Sequence, residues 1–452
     1  MSERLFGTNG VRGVINQDLT AQFSLDLGKA IGTFMQGNIA IGNDPRTSAD
    51  MVKSAVAAGI MSTGANVIDV GMVPTPVVQF YVKAGFISGG VMITASHNPP
   101  EFNGIKCIDA DGTEMPREKE EKIEQIYFQK AFANQPWDQV GALYPRSGAI
   151  DAYLASVVSL VDVESIKNAK LKVVLDCANG ASTASSPRLL QELGVKAITL
   201  NGNPMGTFPG HPSEPTEDHL KDLLAMVRET GADLGIAHDG DADRTIFVDN
   251  RGRYLYGDKS LAVVASQMVK EHNGGTVVTP VSSSNCVEEV VKTAGGEVVY
   301  TKVGAPIVSR KMIEIGAIFG GEENGGLIFP QHQYCRDGAM TAAKMLEIIA
   351  KQGPLADLVD QLPQYSQDKR KIVCPNELKN KVLGYLVNQY SNEKINTIDG
   401  VKICYADGWT LVRPSGTEPL FRIYSEARTE IEAKERSDEC EKVLSEAMRK
   451  YL

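Results

Sequence analysis

The chain has 452 residues, too many for one ordinary hydrophobic core, so we expect roughly three or four domains. Its 42% hydrophobic and 23% charged residues are typical of a soluble globular protein. A formal net charge of −10, from 46 basic and 56 acidic side chains, argues against a surface-wide attraction to nucleic acid or anionic lipid.

Membrane insertion, secretion and cysteine chemistry find no support in the sequence. No apolar run approaches the roughly 20 residues that a membrane span requires. The start, MSERLFGTNG, lacks the charged and apolar segments of a secretion signal. The seven cysteines stand singly, with no C-x-x-C pair for zinc or redox chemistry. We therefore expect reduced thiols and a cytoplasmic location.

Three stretches follow one plan of strand, polar loop, helix, glycine and second strand. They begin at residues 38, 170 and 274 with NIAIGNDPRTS, KLKVVLDCANGAS and GGTVVTPVSSS. Each loop carries the Ser, Thr or Asn residues that cap a following helix, and a glycine ends each helix. The pattern predicts three related α/β domains with mixed, largely covered sheets.

The sequence beyond residue 365 has a different character. The segment QYSQDKRKIVCP, residues 364–375, is polar and interrupted, and we interpret it as a linker. A helix is predicted around 376–391, then two β-like runs, then an amphipathic C-terminal helix. This predicts a smaller α+β domain. The predicted domains are 1–145, 146–250, 251–365 and 366–452.

A serine, a histidine and a lysine follow the strand-like run GGVMI, residues 89–93. The loop after it reads TASHNPPEFNGIK and contains Ser96, His97 and Lys106. One interpretation is that Ser96 is only a turn or cap residue. A Ser-His-Asp hydrolase is disfavoured because no G-x-S-x-G turn is present and His97, adjacent in sequence, is poorly placed as the base of Ser96.

Alternating aspartates form the second chemistry-bearing stretch, DLGIAHDGDADRTIFVD, residues 233–249. Asp239, Asp241 and Asp243 follow a strand, and Arg244 comes directly after them. Three carboxylates on one turn fit Mg²⁺, and an adjacent guanidinium suits a phosphate. The alternative is a solvated Asp-Gly turn between two strands.

A glycine-rich loop between two apolar runs carries the next candidates. It reads IFGGEENGGLIF, residues 318–329, and contains Glu322 and Asn324. A carboxylate and an amide near flexible backbone are suited to holding two sugar hydroxyls. A glycine-rich hairpin with acidic decoration explains the same residues equally well.

The last candidate loop offers donors for an anion. It lies in VRPSGTEPLFR, residues 412–422, and contains Arg413, Ser415, Gly416 and Thr417. A guanidinium, two hydroxyls and turn N–H groups together make a phosphate-binding nest. A purely structural turn is the alternative.

The loops together change the interpretation of Ser96. Beside a Mg²⁺ site and phosphate-binding arginines, a serine is better explained as a carrier of a phosphoryl group. His97 and Lys106 then become electrostatic or proton-transfer partners. Arg12, in the glycine-rich start LFGTNGVRGVI, is either a further anion contact or a surface arginine.

Four motifs in this order resemble the α-D-phosphohexomutases, the family of phosphoglucomutase, phosphomannomutase and phosphoglucosamine mutase. The resemblance covers essentially the whole chain and rests on TASHNPP…NGIK, DGDADR, GGEENGG and RPSGTEP. It implies four domains around a central cleft, each contributing one loop. It also implies a phosphoserine enzyme, an intramolecular phosphotransferase that interconverts hexose 6-phosphate and hexose 1-phosphate through a hexose 1,6-bisphosphate.

The resemblance implies a role for each candidate residue. Ser96 would carry the phosphoryl group, and Arg244 would contact it. Arg12, His97 and Lys106 match basic residues of the transfer site, with the acid and base roles left open. One Mg²⁺ per chain would be held by Asp239, Asp241, Asp243 and an oxygen of phospho-Ser96. The sugar would be read by Glu322 and Asn324, and the phosphate that is not transferred by Arg413, Ser415, Gly416 and Thr417.

Two positions and the style of two motifs bear on the preferred sugar. Many bacterial relatives carry a histidine where this chain has Gly326, and some phosphomannomutases carry one where it has Ala305. The style of the first and last motifs favours conversion of glucosamine 6-phosphate to glucosamine 1-phosphate, with mannose and glucose phosphates as the alternative. We expect a monomer or homodimer whose partners are sugar phosphates, with the bisphosphate as activator. A Mg²⁺-dependent phosphatase and a non-catalytic sugar-phosphate sensor are more remote alternatives.

Overall fold

The structure, a computed structural model, describes residues 4–7, 9–85, 87–415 and 418–451. The chain divides into two compact units. Unit 1 comprises Met1–Ser260 and Asn324–Asp360, and unit 2 comprises Leu261–Glu323 and Gln361–Leu452. Among the described residues, no helix combines the length and the apolar composition that crossing a lipid bilayer requires.

The first part of unit 1 is a mixed sheet with helices packed on it. Its strands are β1 (Val11–Val14), β2 (Asn38–Asn43), β3 (Asn66–Met72), β4 (Gly89–Ile93), β5 (Phe102–Ile108) and β6 (Leu143–Pro145). Its helices are α1 (Ala21–Met35), α2 (Ala49–Ser62), α3 (Thr75–Gly85) and α4 (Arg117–Gln129). The strand order is β1-β5-β4-β2-β3-β6, with β2 parallel to β3 and β4 and with β5 antiparallel to β1 and β4. Strand β4, which leads into the Ser96 loop, is buried along its whole length.

A second mixed sheet follows in unit 1. Its strands are β7 (Lys172–Asp176), β8 (Lys196–Leu200), β9 (Leu234–His238), β10 (Thr245–Val248) and β11 (Tyr254–Leu255). Its helices are α5 (Ala149–Ser159), α6 (Val163–Ala169), α7 (Ser186–Glu192) and α8 (Lys221–Thr230). The order is β11-β10-β9-β7-β8, and β9 and β10 form an antiparallel pair whose turn carries the three aspartates. The buried residues of both strands give that turn a rigid base.

The third strand–helix–strand repeat belongs to unit 2. The elements are α9 (Gly257–Glu271), β12 (Gly275–Pro280), α10 (Asn285–Thr293), β13 (Gly296–Thr301), α11 (Ala305–Ile315) and β14 (Phe319–Gly321). Strand β12 is parallel to both β13 and β14. The three repeats predicted from the sequence are therefore present as β2-α2-β3, β7-α7-β8 and β12-α10-β13, and each strand pair is parallel.

The chain then returns to unit 1. The elements are β15 (Leu327–Phe329), β16 (Gln333–Arg336), α12 (Gly338–Gln352) and α13 (Leu355–Asp360). Strands β15 and β16 form an antiparallel hairpin. Helix α12 is almost fully buried and packs against α5, α6 and α7.

The C-terminal part of unit 2 is an antiparallel sheet with two helices. Its strands are β17 (Ser366–Val373), β18 (Lys394–Asn396), β19 (Val401–Tyr405), β20 (Gly408–Pro414) and β21 (Leu420–Ala427), in the order β17-β21-β20-β19-β18. Its helices are α14 (Lys379–Gln389) and α15 (Glu430–Tyr451). The linker interpretation of residues 364–375 is wrong, because β17 pairs with β21 along its whole length. The strand is polar because it lies at an edge of the sheet.

The confirmed fold class is three related α/β domains with mixed sheets and a smaller C-terminal α+β domain. The three predicted domain boundaries, near residues 145, 250 and 365, stay predictions.

Candidate active site

Ser96 lies in the loop that follows β4, and its side chain is fully buried. Its φ of 53° is uncommon for a residue with a side chain. The Ser96 N–H donates to Oγ1 of Thr94 at 2.8 Å, which helps to hold this conformation. Backbone strain that is maintained by the surroundings is concentrated in functional loops. The loop therefore presents one fixed hydroxyl at the end of a core strand.

Arg46, a buried residue after β2, holds the same loop. It forms an ion pair with the buried carboxylate of Asp44 at 3.1 Å. Its guanidinium also donates, at 2.6–3.0 Å, to the backbone carbonyls of Ser96, Asn98, Pro99 and Phe102. Because one rigid fork satisfies four carbonyls, the serine loop has little freedom to move.

The three aspartates form a cluster of oxygens suited to a cation. Asp239, Asp241 and Asp243 are buried, and one carboxylate oxygen of each lies within 4.8 Å of the others. Oδ1 of Asp241 and Oδ1 of Asp243 are buried without a hydrogen-bond partner. Buried oxygens of this kind are costly unless something binds them. A set of hard oxygen donors fits a divalent cation such as Mg²⁺ or Mn²⁺.

The serine loop and the aspartate turn are in direct contact. Oγ of Ser96 donates to Oδ2 of Asp239 at 3.0 Å. The two backbones also approach closely, since a Cβ added to Gly240 would lie 2.5 Å from the carbonyl oxygen of Ser96. Glycine at this position is therefore a steric requirement of the contact.

Lys106 and Thr75 bind the second aspartate. Nζ of Lys106 lies 2.6 Å from Oδ2 of Asp241 and 3.5 Å from Oδ2 of Asp243, and Oγ1 of Thr75 donates to Asp241 at 2.6 Å. Burial alone would raise the pKa of Asp241, but the charge and hydrogen bond of Lys106 and the hydroxyl of Thr75 lower it below its usual value. Asp241 is thus held as a carboxylate.

Asp239 has the opposite electrostatic environment. Its burial and the neighbouring charges of Asp243 and Asp241 raise its pKa to about 8. A cation bound by the three carboxylates would relieve this repulsion. The residues present therefore fit a divalent metal.

Arg244 and His97 meet beside Ser96. Nη2 of Arg244 donates to Nδ1 of His97 at 2.7 Å. This histidine nitrogen also lies 3.3 Å from Oγ of Ser96. Burial, with the nearby charges of Arg244 and Arg12, lowers the pKa of His97 to about 2, so its imidazole is neutral at physiological pH. Arg12 donates to Oδ1 of Asn98 at 2.7 Å, on the same loop. The structure thus brings together every predicted residue of the transfer site.

Unit 2 holds most of the other predicted residues. Oε1 of the buried Glu322 accepts the N–H of Gly304 at 3.1 Å. Nε of Arg413 pairs with Oδ2 of Asp399 at 2.5 Å. Oγ of Ser415 accepts the N–H of Glu418 at 3.1 Å. Asn324 belongs to unit 1, where its Oδ1 accepts the N–H of Gly326 at 3.1 Å. Gly416 and Thr417 lie outside the described residues.

Three side chains that bind the serine loop or the aspartate cluster were not predicted from the sequence: Arg46, Thr75 and Arg336. Nη2 of Arg336 lies 2.5 Å from Oδ2 of Asp243. Arg46 follows a strand, Thr75 begins a helix and Arg336 ends a strand. The only local signal for these three residues is that each lies near the end of a helix or strand. Many residues share that position, so it does not single out these three.

Four family models match successive parts of the chain. They are described as phosphoglucomutase/phosphomannomutase alpha/beta/alpha domains I, II and III and the C-terminal domain, at residues 3–134, 151–252, 256–365 and 355–443. A relative from Thermococcus kodakarensis, named phosphoglucomutase/phosphomannomutase, is 43% identical over 99% of both chains. The chain belongs to the phosphoglucomutase/phosphomannomutase family.

Two further comparisons support this family membership. A phosphoglucosamine/phosphogalactosamine mutase from Sulfurisphaera tokodaii is 42% identical over 98% of this chain and 99% of its own. The crystal structure of a family protein from Burkholderia thailandensis superposes with a TM-score of 0.88 at 27% identity, over 98% of this chain and 97% of that one. The chain is thus a hexose phosphate mutase, an isomerase that works by intramolecular phosphoryl transfer, and the resemblance seen in the four motifs is confirmed.

Proposed function

We propose that this mutase interconverts glucosamine 6-phosphate and glucosamine 1-phosphate through phospho-Ser96 and a hexose 1,6-bisphosphate. The observation that carries the proposal is the hydrogen bond of the buried Ser96 hydroxyl to Asp239, inside a cluster of three carboxylates. A serine in this setting has an anionic, cation-binding environment next to it, which a phosphoryl carrier needs and a structural turn does not.

The proposal includes one Mg²⁺ per chain. Asp239, Asp241 and Asp243 would hold it, together with an oxygen of phospho-Ser96, and the buried oxygens without partners support this set. When bound, the cation would neutralise charge on the phosphoryl group during transfer.

The side chains around Ser96 divide into charged and neutral groups. Arg244 and Lys106 supply positive charge at the transfer site, and Arg12 adds a third cation at the serine loop. His97 is neutral and accepts from Arg244, so it serves to orient that guanidinium. A phosphoryl group on Oγ of Ser96 would thus meet preorganised donors, the arrangement that stabilises a transferring phosphoryl group.

The reaction needs two transfers. Phospho-Ser96 gives its phosphoryl group to the free hydroxyl of a hexose monophosphate, and the bisphosphate formed returns its other phosphoryl group to Ser96. Between the two steps the sugar reverses its orientation. We assign Glu322 and Asn324 to the sugar hydroxyls. The phosphate that is not transferred would be bound by Arg413, Ser415, Gly416 and Thr417.

The alternative is a phosphomannomutase/phosphoglucomutase of broad specificity, supported by the name of the Thermococcus kodakarensis relative. The name of the Sulfurisphaera tokodaii relative, phosphoglucosamine/phosphogalactosamine mutase, supports glucosamine instead. The test compares kcat/KM for glucosamine, mannose and glucose phosphates at equal Mg²⁺. The proposal predicts at least a roughly tenfold preference for glucosamine, which is about 1.4 kcal/mol in transition-state binding. Values within tenfold for all three sugars would establish the alternative.

The cellular setting is part of the proposal. All seven cysteines are free thiols, and six of them are buried. Free thiols are the usual state in a reducing cytoplasm, where sugar phosphates are also found. We propose a cytoplasmic monomer or homodimer whose partners are sugar phosphates.

A further inference from the structure

Arg336 is a buried arginine that contacts the metal cluster from the β15–β16 hairpin. It is the last residue of β16, and its side chain is 7% exposed. Its Nη2 donates to Oδ2 of Asp243 at 2.5 Å. The other oxygen of Asp243, Oδ1, is one of the two buried oxygens of the aspartate cluster that have no hydrogen-bond partner. Arg336 therefore occupies one carboxylate oxygen of Asp243, and the other, which lies 3.7 Å from Nε of Arg244 without a hydrogen bond, is left for a cation.

The backbone that carries Arg336 is fixed to the strand after the aspartate turn. Thr245 binds both ends of the hairpin: its N–H donates to the carbonyl of Gly325 at 3.0 Å, and its Oγ1 donates to the carbonyl of Gly338 at 2.8 Å. Asp337, next to Arg336, caps helix α12 by accepting the N–H of Met340 at 2.9 Å. The backbone position of Arg336 relative to the aspartate turn is thus fixed by the fold.

Gly326, in the predicted sugar loop, provides the space for this side chain. A Cβ added to Gly326 would lie 2.2 Å from Cδ and 2.9 Å from Cγ of Arg336. These atoms are in the middle of the arginine side chain, so they cannot move aside while the guanidinium stays on Asp243. Any residue larger than glycine at 326 would displace Arg336.

Lys106 is a second cationic side chain that competes for the carboxylate of Asp243. Its Nζ lies 3.5 Å from the same Oδ2 of Asp243 that Arg336 binds. Without Arg336, Asp243 would be free to turn towards Lys106 and to offer its oxygens to that ammonium. Partners that orient a metal ligand are commonly worth 10–100-fold in metal affinity.

We propose that Arg336 positions Asp243 for the divalent cation and that Gly326 is glycine because Arg336 needs its space. The inference rests on the proposed function, because it assigns a role within the metal cluster. It also connects the sugar loop to the metal cluster through one side chain, Arg336.

The test measures binding of Mn²⁺ to the full-length, unphosphorylated enzyme by electron paramagnetic resonance. Removal of a nearby positive charge would by itself tighten cation binding. Positioning predicts the opposite: R336M should raise the Kd for Mn²⁺ about tenfold, and R336K should recover part of the loss. A Kd for R336M that is unchanged or lower than that of the wild type would overturn the proposal. The matched control is R251M, which removes a half-exposed arginine paired with Asp357 and Asp360.

A second variant, G326A, keeps the proposal falsifiable if R336M folds poorly, and where R336M does fold the two variants complete a double-mutant cycle. G326A should raise the Kd for Mn²⁺ in the same direction, and it should add nothing to R336M, because the arginine is then already absent. Additive effects would overturn the link between the two residues. The control G384A places a Cβ where no atom lies within 4 Å, and it should leave the Kd unchanged.

Failure of this inference is distinguishable from failure of the proposed function. Mutase turnover by wild type together with an unchanged Kd for R336M would refute only the role of Arg336. A wild-type protein that binds Mn²⁺ and depends on Arg336, but has no turnover with hexose phosphates, would refute only the function. A wild type that binds no Mn²⁺ would refute both.

Discussion

Oγ of Ser96 donates to Oδ2 of Asp239 at 3.0 Å, although the two residues are 143 positions apart in the sequence. The contact joins the end of β4, in the first sheet, to the turn between β9 and β10, in the second. Both loops follow buried strands, so the geometry is carried by the two cores. A hydroxyl and a set of carboxylates are brought together in this way where neither sheet alone could provide both.

Loss of the Ser96 hydroxyl should abolish mutase turnover. We expect S96A to lower kcat by at least about 1000-fold, because the phosphoryl group has no other carrier. The measurement is conversion of glucosamine 6-phosphate followed by phosphorus NMR. The control is S437A, which removes another fully buried serine hydroxyl, one without a hydrogen-bond partner. Turnover by S96A close to that of S437A would favour a phosphatase with an aspartate nucleophile.

Metal affinity should depend on pH well above the usual range of a carboxylate. The pKa of Asp239 is raised to about 8, so at lower pH this side chain holds a proton that must leave when a cation binds. The affinity for Mn²⁺ should therefore rise as the pH increases towards 8, with release of one proton. Calorimetry in buffers of different ionisation enthalpy measures both quantities. An affinity that is constant from about pH 6 to 8 would match an ordinary aspartate, with a pKa near 3.9, and would contradict the account.

Arg46 should be needed both for stability and for turnover. R46K keeps the charge but loses most of the fork that binds four carbonyls and Asp44. We expect the free energy of unfolding to fall by about 2–4 kcal/mol, because buried acceptors are left without donors. Urea unfolding measures this, and kcat of the folded fraction should also fall. R251K, at a half-exposed site, should change stability by less than about 0.5 kcal/mol. Equal effects of the two substitutions would show that Arg46 does not hold the serine loop.

Asp399 should orient Arg413, the arginine proposed to bind the phosphate that is not transferred. Its Oδ2 accepts from Nε of Arg413 at 2.5 Å and from the N–H of Val303 at 3.0 Å, so the guanidinium is held through its Nε. We expect D399N to raise KM for the sugar phosphate about tenfold with a smaller change in kcat, because a charge-assisted bond becomes neutral. The control D407N weakens a similar pair with Arg436 in the same domain. A KM for D399N equal to that of D407N would remove Asp399 from the site.

The sequence predicted those parts of the site that are encoded in short motifs. Ser96, the three aspartates and Arg244 stand in dense polar loops after strands, so their chemistry is visible locally. Arg336 and Arg46 are single arginines whose roles depend on distant contacts. Arg336 binds Asp243, 93 positions away in the sequence, and Arg46 binds the Ser96 loop, at least 50 positions away. No local pattern encodes such contacts.

The same limit explains the error at residues 364–375. The segment is polar because β17 lies at the edge of its sheet, and its partner β21 begins near residue 420. Local polarity was therefore a poor guide to a strand that gains its hydrogen bonds from a distant part of the chain. The parallel repeats were predictable because each places a whole strand–helix–strand unit within a short run of consecutive residues: 38–72, 172–200 and 275–301.

The most direct test of the account is the site of phosphorylation. The full-length protein is incubated with a hexose 1,6-bisphosphate and Mg²⁺, and its intact mass and phosphopeptides are determined. We predict one phosphoryl group per chain, located on Ser96; when glucosamine 6-phosphate is added, this group passes to the sugar and is replaced by the other phosphoryl group of the bisphosphate. A phosphoryl group on an aspartate, or an unmodified protein that nevertheless turns over, would contradict it.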